Sequence, residues 1–242
     1  MTADAPELSV VLPVRDEREN LAPLLDEIRA ALGGRRYEIL AVDDGSTDGS
    51  LEALRGLART MPELRVLRLG VPAGQSAALA AGWDAARADI VVTLDADGQN
   101  DPADIPRLLA RLTGRPDLAA VVGARTRRRD SGWKLVQSRV ANSFRNWITG
   151  HRVQDTGCGL KVMRRAALAG LPRFDGMHRF LPTLMALRGG RFEELAVAHR
   201  RRRHGRTKYG AGNRTLRGLR DALGVRWLAR RRLRFEVTEV RD

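Results

Sequence analysis

The stretch "VVTLDADGQND", residues 91–101, runs an apolar segment straight into three acids, Asp95, Asp97 and Asp101. Apolar runs of this kind read as strands buried on both faces. Carboxylates gathered at a strand end repel one another unless something positive sits between them. A metal ion, a cationic side chain or solvent would each meet that need.

Working upstream, strands alternate with helix-spaced segments. "LSVVLPV" (8–14) reads as a strand, and "RENLAPLLDEIRAAL" (18–32) as a helix carrying Leu21, Leu24, Leu25, Ile28 and Leu32 at helical spacing. Strands are expected over 37–45, 64–70, 89–97 and 118–125, and helices over 50–58, 75–86 and 102–112, the last with proline near its start. This alternation predicts an α/β fold, a mostly parallel sheet flanked by helices. Ligands of such sheets bind beyond the carboxyl ends of the strands. Here those ends hold Arg15 to Glu17, Asp43 to Asp48, Asp95 to Gln99, and Arg125.

Downstream of residue 125 the pattern changes. A basic loop precedes a helix expected over 135–150. "DTGCGLKVMRRAAL" (155–168) reads as a glycine-rich turn, a short strand and a helix. A helix over 179–190 and a strand over 191–200 follow, then a final helix over 213–231 with Leu216, Leu219, Leu223 and Trp227 on one side.

The net charge of +14 is concentrated in one place. Residues 200–234 hold 14 Arg or Lys and one acid, Asp221. We expect a domain over 1–210 and a basic amphipathic tail over 211–242. Such tails meet nucleic acid, anionic membrane or phosphorylated ligands. Nucleic acid ranks last, because the basic segment lacks aromatic interleaving and any recognisable module. The single cysteine, Cys158, fits a reducing compartment. The first residues do not read as a signal peptide, and no apolar run approaches the ~18 residues of a membrane span. The expectation is a cytoplasmic protein.

Asp95, Asp97 and Gln99 offer three oxygen ligands within five residues, a donor set suited to Mg²⁺ or Mn²⁺ alongside substrate phosphates. The alternative is that Asp95 and Asp97 form a turn and Asp101 caps a helix. "VDDGSTDGS" (42–50) is open in the same way. Asp43 and Asp44 either accept hydrogen bonds from a base or ribose, or shape a tight turn.

In order along the chain stand "VVLPVRDERENLAPLL", "VDDGSTDGS", "GQSAALAAGWDAARADIVVTLDADGQNDP", "VVGAR", "DTGCGLKVMRR" and "HGRTKYG". Together they resemble family 2 glycosyltransferases of the GT-A (Rossmann-like) fold, more narrowly polyprenyl-phosphate hexosyltransferases of the dolichol-phosphate mannose synthase type. The likeness covers about residues 7 to 230. It implies an inverting, metal-dependent transfer of a hexose from a nucleoside-diphosphate sugar to a polyprenyl phosphate. Carried over by that likeness, Pro13, Glu17 and Asp44 line the nucleotide pocket, with Arg15 and Asp43 beside them. Asp95, Asp97 and Gln99 hold Mg²⁺ or Mn²⁺ against the diphosphate. Arg125 and Arg139 meet the acceptor phosphate, and Arg202 and Lys208 clamp phosphates from a loop. Asp155 begins the segment that closes over the sugar and, with Asp97 and Arg125, is a catalytic candidate.

Two positions depart from the family pattern: Arg15 replaces a usual aromatic, and Gly98 a usual leucine. The first bears on which nucleotide is bound. Many members carry transmembrane helices after the catalytic domain. This sequence shows none, so it is expected to reach its lipid at an anionic membrane surface or through a membrane-protein partner. Two other readings stay open: a family 2 enzyme with a hydroxyl acceptor, and a non-catalytic nucleic-acid or membrane-surface binding domain.

Overall fold

The computed structural model describes residues 5–125, 150, 153–204 and 211–231. Along β1 (Leu8–Val14), alternate side chains enter opposite apolar layers, Val10, Leu12 and Val14 one and Val11 the other. β1 pairs in parallel with β2 (Tyr37–Asp43) and β4 (Ile90–Thr93), and β2 with β3 (Leu64–Arg68). β5 (Leu118–Arg125) pairs in parallel with β7 (Arg191–Val197). Between β4 and β5 lies β6 (Lys161–Arg164), antiparallel to both. The sheet order is β3-β2-β1-β4-β6-β5-β7.

Helices cover both faces. α1 (Arg18–Leu32), α2 (Ser50–Ala58) and α4 (Ile105–Thr113) bury Leu21, Leu25, Ile28, Leu54, Ile105 and Leu108 in one layer. The other layer takes Ala78, Leu79 and Trp83 of α3 (Gln75–Ala85), and Leu184 and Met185 of the later helix α6 (Leu181–Leu187). A one-turn helix, α5 (Arg165–Leu168), follows β6. After β3 the chain returns across the sheet to place β4 on the other side of β1. That reversal opens a crevice at the carboxyl ends of β1 and β4, the usual ligand position in such sheets.

Several elements are shorter than the sequence suggests. β4 stops at Thr93, where its pairing with β6 ends at Lys161 and the Thr93 hydroxyl donates to the Gly159 carbonyl. The expected helix over 102–112 opens with a single 3₁₀ turn, Pro102–Asp104, capped by Asp101, which accepts from the Ala103 N–H. β7 ends at Val197 because the next residues turn onto the acidic loop: Ala198 N–H donates to Asp104 and Arg200 N–H to the Gln99 carbonyl.

The last described helix, α7 (Ala211–Arg230), docks Ala222 and Val225 in the same apolar layer as Met177 and Phe180, with Leu219 packed beside them. Asp221 lies 3.7 Å from Arg179. The expected stripe is therefore split, since Leu223 and Trp227 are 53% and 58% exposed. The helix expected over 135–150, with the basic loop before it, lies outside the described residues apart from Gly150.

Candidate active site

Two loops at the crevice are tied to each other by hydrogen bonds. After β1, the Asp16 N–H donates to Ser46 Oγ, the Glu17 N–H to Ser50 Oγ and the Arg18 N–H to Asp48. In return the Thr47 N–H donates to Asp16, which sits in the left-handed region at φ 47°. Asp43 accepts from the N–H groups of Gly45 and Ser46, so this acid builds the turn. Asp44 accepts from Ala73 and Gly74 N–H at 2.6 and 3.0 Å and pairs with Arg15 at 3.3 Å. Asp43 thus takes the turn reading of "VDDGSTDGS", and Asp44 ties that turn to the Ala73–Gly74 backbone and to Arg15. Pro13 is the penultimate residue of β1 and lies beside Val42 of β2.

At the end of β4, Asp95 accepts from Gln75 Nε2 at 2.8 Å. A β-carbon on Gly159 would sit 2.3 Å from an Asp95 carboxylate oxygen, so any side chain there would push that carboxylate out of place. Enclosure pushes the Asp95 carboxyl up to about 6, first through burial and then through the neighbouring Asp97 charge. Lys161, Arg125 and Arg202 act in the opposite direction. Lys161 is buried and its ammonium donates to the Cys158 carbonyl; burial pulls its pKa down. Asp97 accepts from the Gln99 N–H at 3.1 Å, and its other oxygen lies 2.7 Å from Arg202 Nη2.

Among the described residues no three His, Cys, Asp or Glu side chains converge as a closed metal cage. Two neighbouring carboxylates, the charge of Asp97 adding to the cost of ionising Asp95, with the Gln99 amide two residues on, fit a hard divalent ion that keeps open positions for phosphate oxygens. Asp97 already holds a cation, the Arg202 guanidinium.

Arg125 and Asp155 face each other. Arg125 Nε and Nη2 donate to the two Asp155 oxygens at 2.6 and 2.8 Å, and Arg125 N–H adds a third bond at 3.2 Å. Asp155 also accepts from Gly157 N–H, while its own N–H donates to Glu194. Both side chains are largely buried, at 12% and 11% exposure. The Asp155 carboxylate is committed to holding Arg125.

The segment after β7 lies against α1 and the acidic loop. Arg200 bridges Glu27 at 2.6 Å and Asp101 at 2.5 Å. Arg202 spans Asp97 and, at 3.5 Å, Glu17, and Arg203 reaches Glu27 at 3.0 Å. Asp95, Asp97, Gln99, Glu17 and Arg202 are therefore brought to one place, with Asp44 and Arg15 on the β1–β2 side. Arg139 and Lys208 lie outside the described residues. Sequence reasoning did not single out Gln75 and Lys161. A lysine inside the apolar run "LKVM" is a signal for the second; nothing local marks the first.

Residues 9–171 match the model of Glycosyl transferase family 2. The chain belongs to that family. It is 38% identical to the dodecaprenyl-phosphate galacturonate synthase of Rhizobium johnstonii over 94% of this chain and 69% of that protein. It is 39% identical to an undecaprenyl-phosphate 4-deoxy-4-formamido-L-arabinose transferase of Pseudomonas paraeruginosa, over 84% of this chain and 60% of the relative's length. Glucosyl-3-phosphoglycerate synthase of Mycobacterium tuberculosis, solved with Mn²⁺, UDP-glucose and glycerol 3-phosphate, superposes with a TM-score of 0.66 at 25% identity, over 90% of this chain and 80% of that one. This likeness to solved structures agrees with the GT-A architecture of the sheet, and the polyprenyl-phosphate relatives agree with the narrower resemblance in the sequence.

Proposed function

We propose that this glycosyltransferase moves a hexose, with inversion, from a nucleoside-diphosphate donor to a polyprenyl phosphate at the cytoplasmic face of a membrane. The observation that carries the reading is the Asp95–Asp97 pair at the end of β4, with Arg202 joining Asp97 to Glu17 and Arg125 near enough to act on Asp95. In this reading Asp95, Asp97 and Gln99 hold Mg²⁺ or Mn²⁺. The ion would supply charge stabilisation to the departing diphosphate. Pro13, Arg15, Glu17, Asp43 and Asp44 form the nucleotide side, and Arg125, Arg139, Arg202 and Lys208 the phosphate-binding side.

A phosphate monoester has its second pKa near ~6, so the acceptor is already anionic near neutral pH and needs no strong base. One of its oxygens forms the bond to the anomeric carbon while the bond from that carbon to the donor's diphosphate oxygen breaks. The nucleoside diphosphate leaves with the electron pair. Arg125 orients the acceptor phosphate, and Asp155 fixes the guanidinium that does so. This assignment favours phosphate over a hydroxyl acceptor, because Asp155, the one base nominated from sequence, is taken up by Arg125. The two relatives carry different sugars in their names and share the polyprenyl-phosphate acceptor, which is why the acceptor anchors the proposal.

We read residues 1–210 as catalytic and 211–242 as a basic segment that meets anionic lipid, directly or beside a membrane-protein partner, and not nucleic acid. No helix among the described residues is long and apolar enough to cross a membrane. The exposed Leu223 and Trp227, with the neighbouring Arg220, Arg230 and Arg231 exposed, support surface attachment. The test incubates the protein with Mn²⁺ or Mg²⁺, polyprenyl phosphate in anionic or neutral vesicles, and a panel of labelled nucleotide sugars. Label in the lipid extract, with protein sedimenting on anionic vesicles and released by salt, is the expected result. Label appearing only in water-soluble product would overturn the acceptor, and equal sedimentation with neutral vesicles would overturn the surface assignment.

A further inference from the structure

We infer that Arg202 is the resident counter-cation of the Asp95–Asp97 site, occupying the position of the divalent ion until the ion and the donor diphosphate displace it together. The inference rests on the metal reading proposed above. Its starting point is placement. Arg202 Nη2 stands 2.7 Å from Asp97 Oδ2 and Nη1 3.5 Å from Glu17 Oε1, so one guanidinium bridges the carboxyl ends of β4 and β1. A Mg²⁺ ligand oxygen sits at about 2.1 Å from its ion. The same Asp97 oxygen cannot keep an arginine nitrogen against it and a divalent ion on its other side without setting two cations against each other.

The neighbouring contacts show that the placement is built. The segment is pinned by the Arg200 N–H bond to the Gln99 carbonyl at 2.8 Å, by Arg200 on Glu27 and Asp101, by Arg203 on Glu27, and by His204 Nδ1 at 3.3 Å from Glu19. These ties deliver Arg202 to Asp97 from 105 residues away in sequence. An ion entering the site therefore competes with a pre-positioned guanidinium. A diphosphate offers that guanidinium a new partner of the same charge as the one it loses. Ion and donor become thermodynamically linked through a single side chain, each tightening the other.

The experiment measures Mn²⁺ binding to the full chain without donor, by the electron-spin-resonance signal of free Mn²⁺, and repeats it with UDP as probe. Arg202→Ala should bind Mn²⁺ alone about tenfold more tightly than wild type, and UDP should tighten Mn²⁺ binding less in the variant than in wild type. Arg200→Ala keeps the guanidinium of Arg202 but loosens its mooring, so it should move Mn²⁺ affinity the same way by a smaller factor. Unchanged or weaker Mn²⁺ binding in both variants would overturn the inference and leave the metal reading standing, provided Asp97→Ala abolishes binding. Absence of Mn²⁺ binding to wild type and both variants, with and without UDP, would overturn the metal reading and this inference with it.

Discussion

The two ends of the sheet each enclose an acid beside an arginine, and the surroundings differ. At the amino end of β2, Glu38 is 5% exposed and accepts from Ser9 Oγ and the Arg87 N–H, both at 2.7 Å, and from Arg65 at 2.5 Å. Burial works against its charge, but those hydrogen bonds outweigh it and hold the carboxyl below its ordinary range. At the carboxyl end of β4, burial and Asp97 win instead, and Asp95 is pushed up to about 6. The first acid is fully served by the protein. The second sits beside another carboxylate that is paired with Arg202, and burial with a like charge nearby is the kind of conflict that gathers at functional sites.

Substitution at each end should separate stability from activity. Asp97→Ala should lower transfer by ~10³-fold or more, since a bound divalent ion contributes several kcal/mol to the departing charge. Its urea midpoint should stay near wild type, because losing the Arg202 pair and relieving the repulsion on Asp95 act in opposite directions. A variant that keeps wild-type transfer, or transfer that persists in chelator, would erase the distinction between the two ends.

Glu38→Ala should do the reverse. It leaves Arg65 and two buried donors without their acceptor, which costs about 3 kcal/mol. Turnover per folded molecule should be unchanged. The pH dependence has a definite sign. A carboxyl lowered in the folded state adds stability above its unfolded value, 4.5, and that contribution fades as pH falls through the folded value. The gap in unfolding free energy between wild type and Glu38→Gln should therefore be full at pH 7 and shrink toward pH 3. A gap that widens on acidification would show that Glu38 is not held as a carboxylate.

Much of this architecture is legible in the sequence where local pattern and tertiary demand coincide. The bounds of β1, α1, α2 and β5 follow from apolar spacing and from the glycines and acids that close each element. The crevice follows too, since strand ends rich in acid on an α/β sheet point to a ligand. Contacts between distant segments are not legible. Arg125 meets Asp155 only because the antiparallel β6 brings the "DTGCG" turn back beside the end of β5. Arg202 reaches Asp97 only because β7 ends above the acidic loop. Neither follows from periodicity, which reports the face a residue takes and not its partner. The splitting of the α7 stripe has the same origin, because Leu219, Ala222 and Val225 take the inner face and leave Leu223 and Trp227 outside.

The Arg125–Asp155 pair lies between the two extremes. It sits on the ligand side of the sheet, yet its acid is as well served as Glu38: two guanidinium bonds, the Arg125 N–H and the Gly157 N–H. If Asp155 positions Arg125, Asp155→Asn should act through the arginine. The amide keeps the shape and can still accept from Gly157 or Arg125, but it loses the charge that locks the fork. The expected cost is about 1–2 kcal/mol in stability. The KM for polyprenyl phosphate should rise roughly tenfold while the KM for the nucleotide sugar stays put, because a loosened guanidinium gives up about one charge-assisted contact to phosphate. Asp155→Glu, which restores the charge one methylene further out, should recover part of the loss. A different pattern would assign Asp155 to the chemistry. If transfer falls by ~10³-fold with both KM values unchanged, and Asp155→Glu is equally inactive, the carboxylate acts as a base and the acceptor is a hydroxyl.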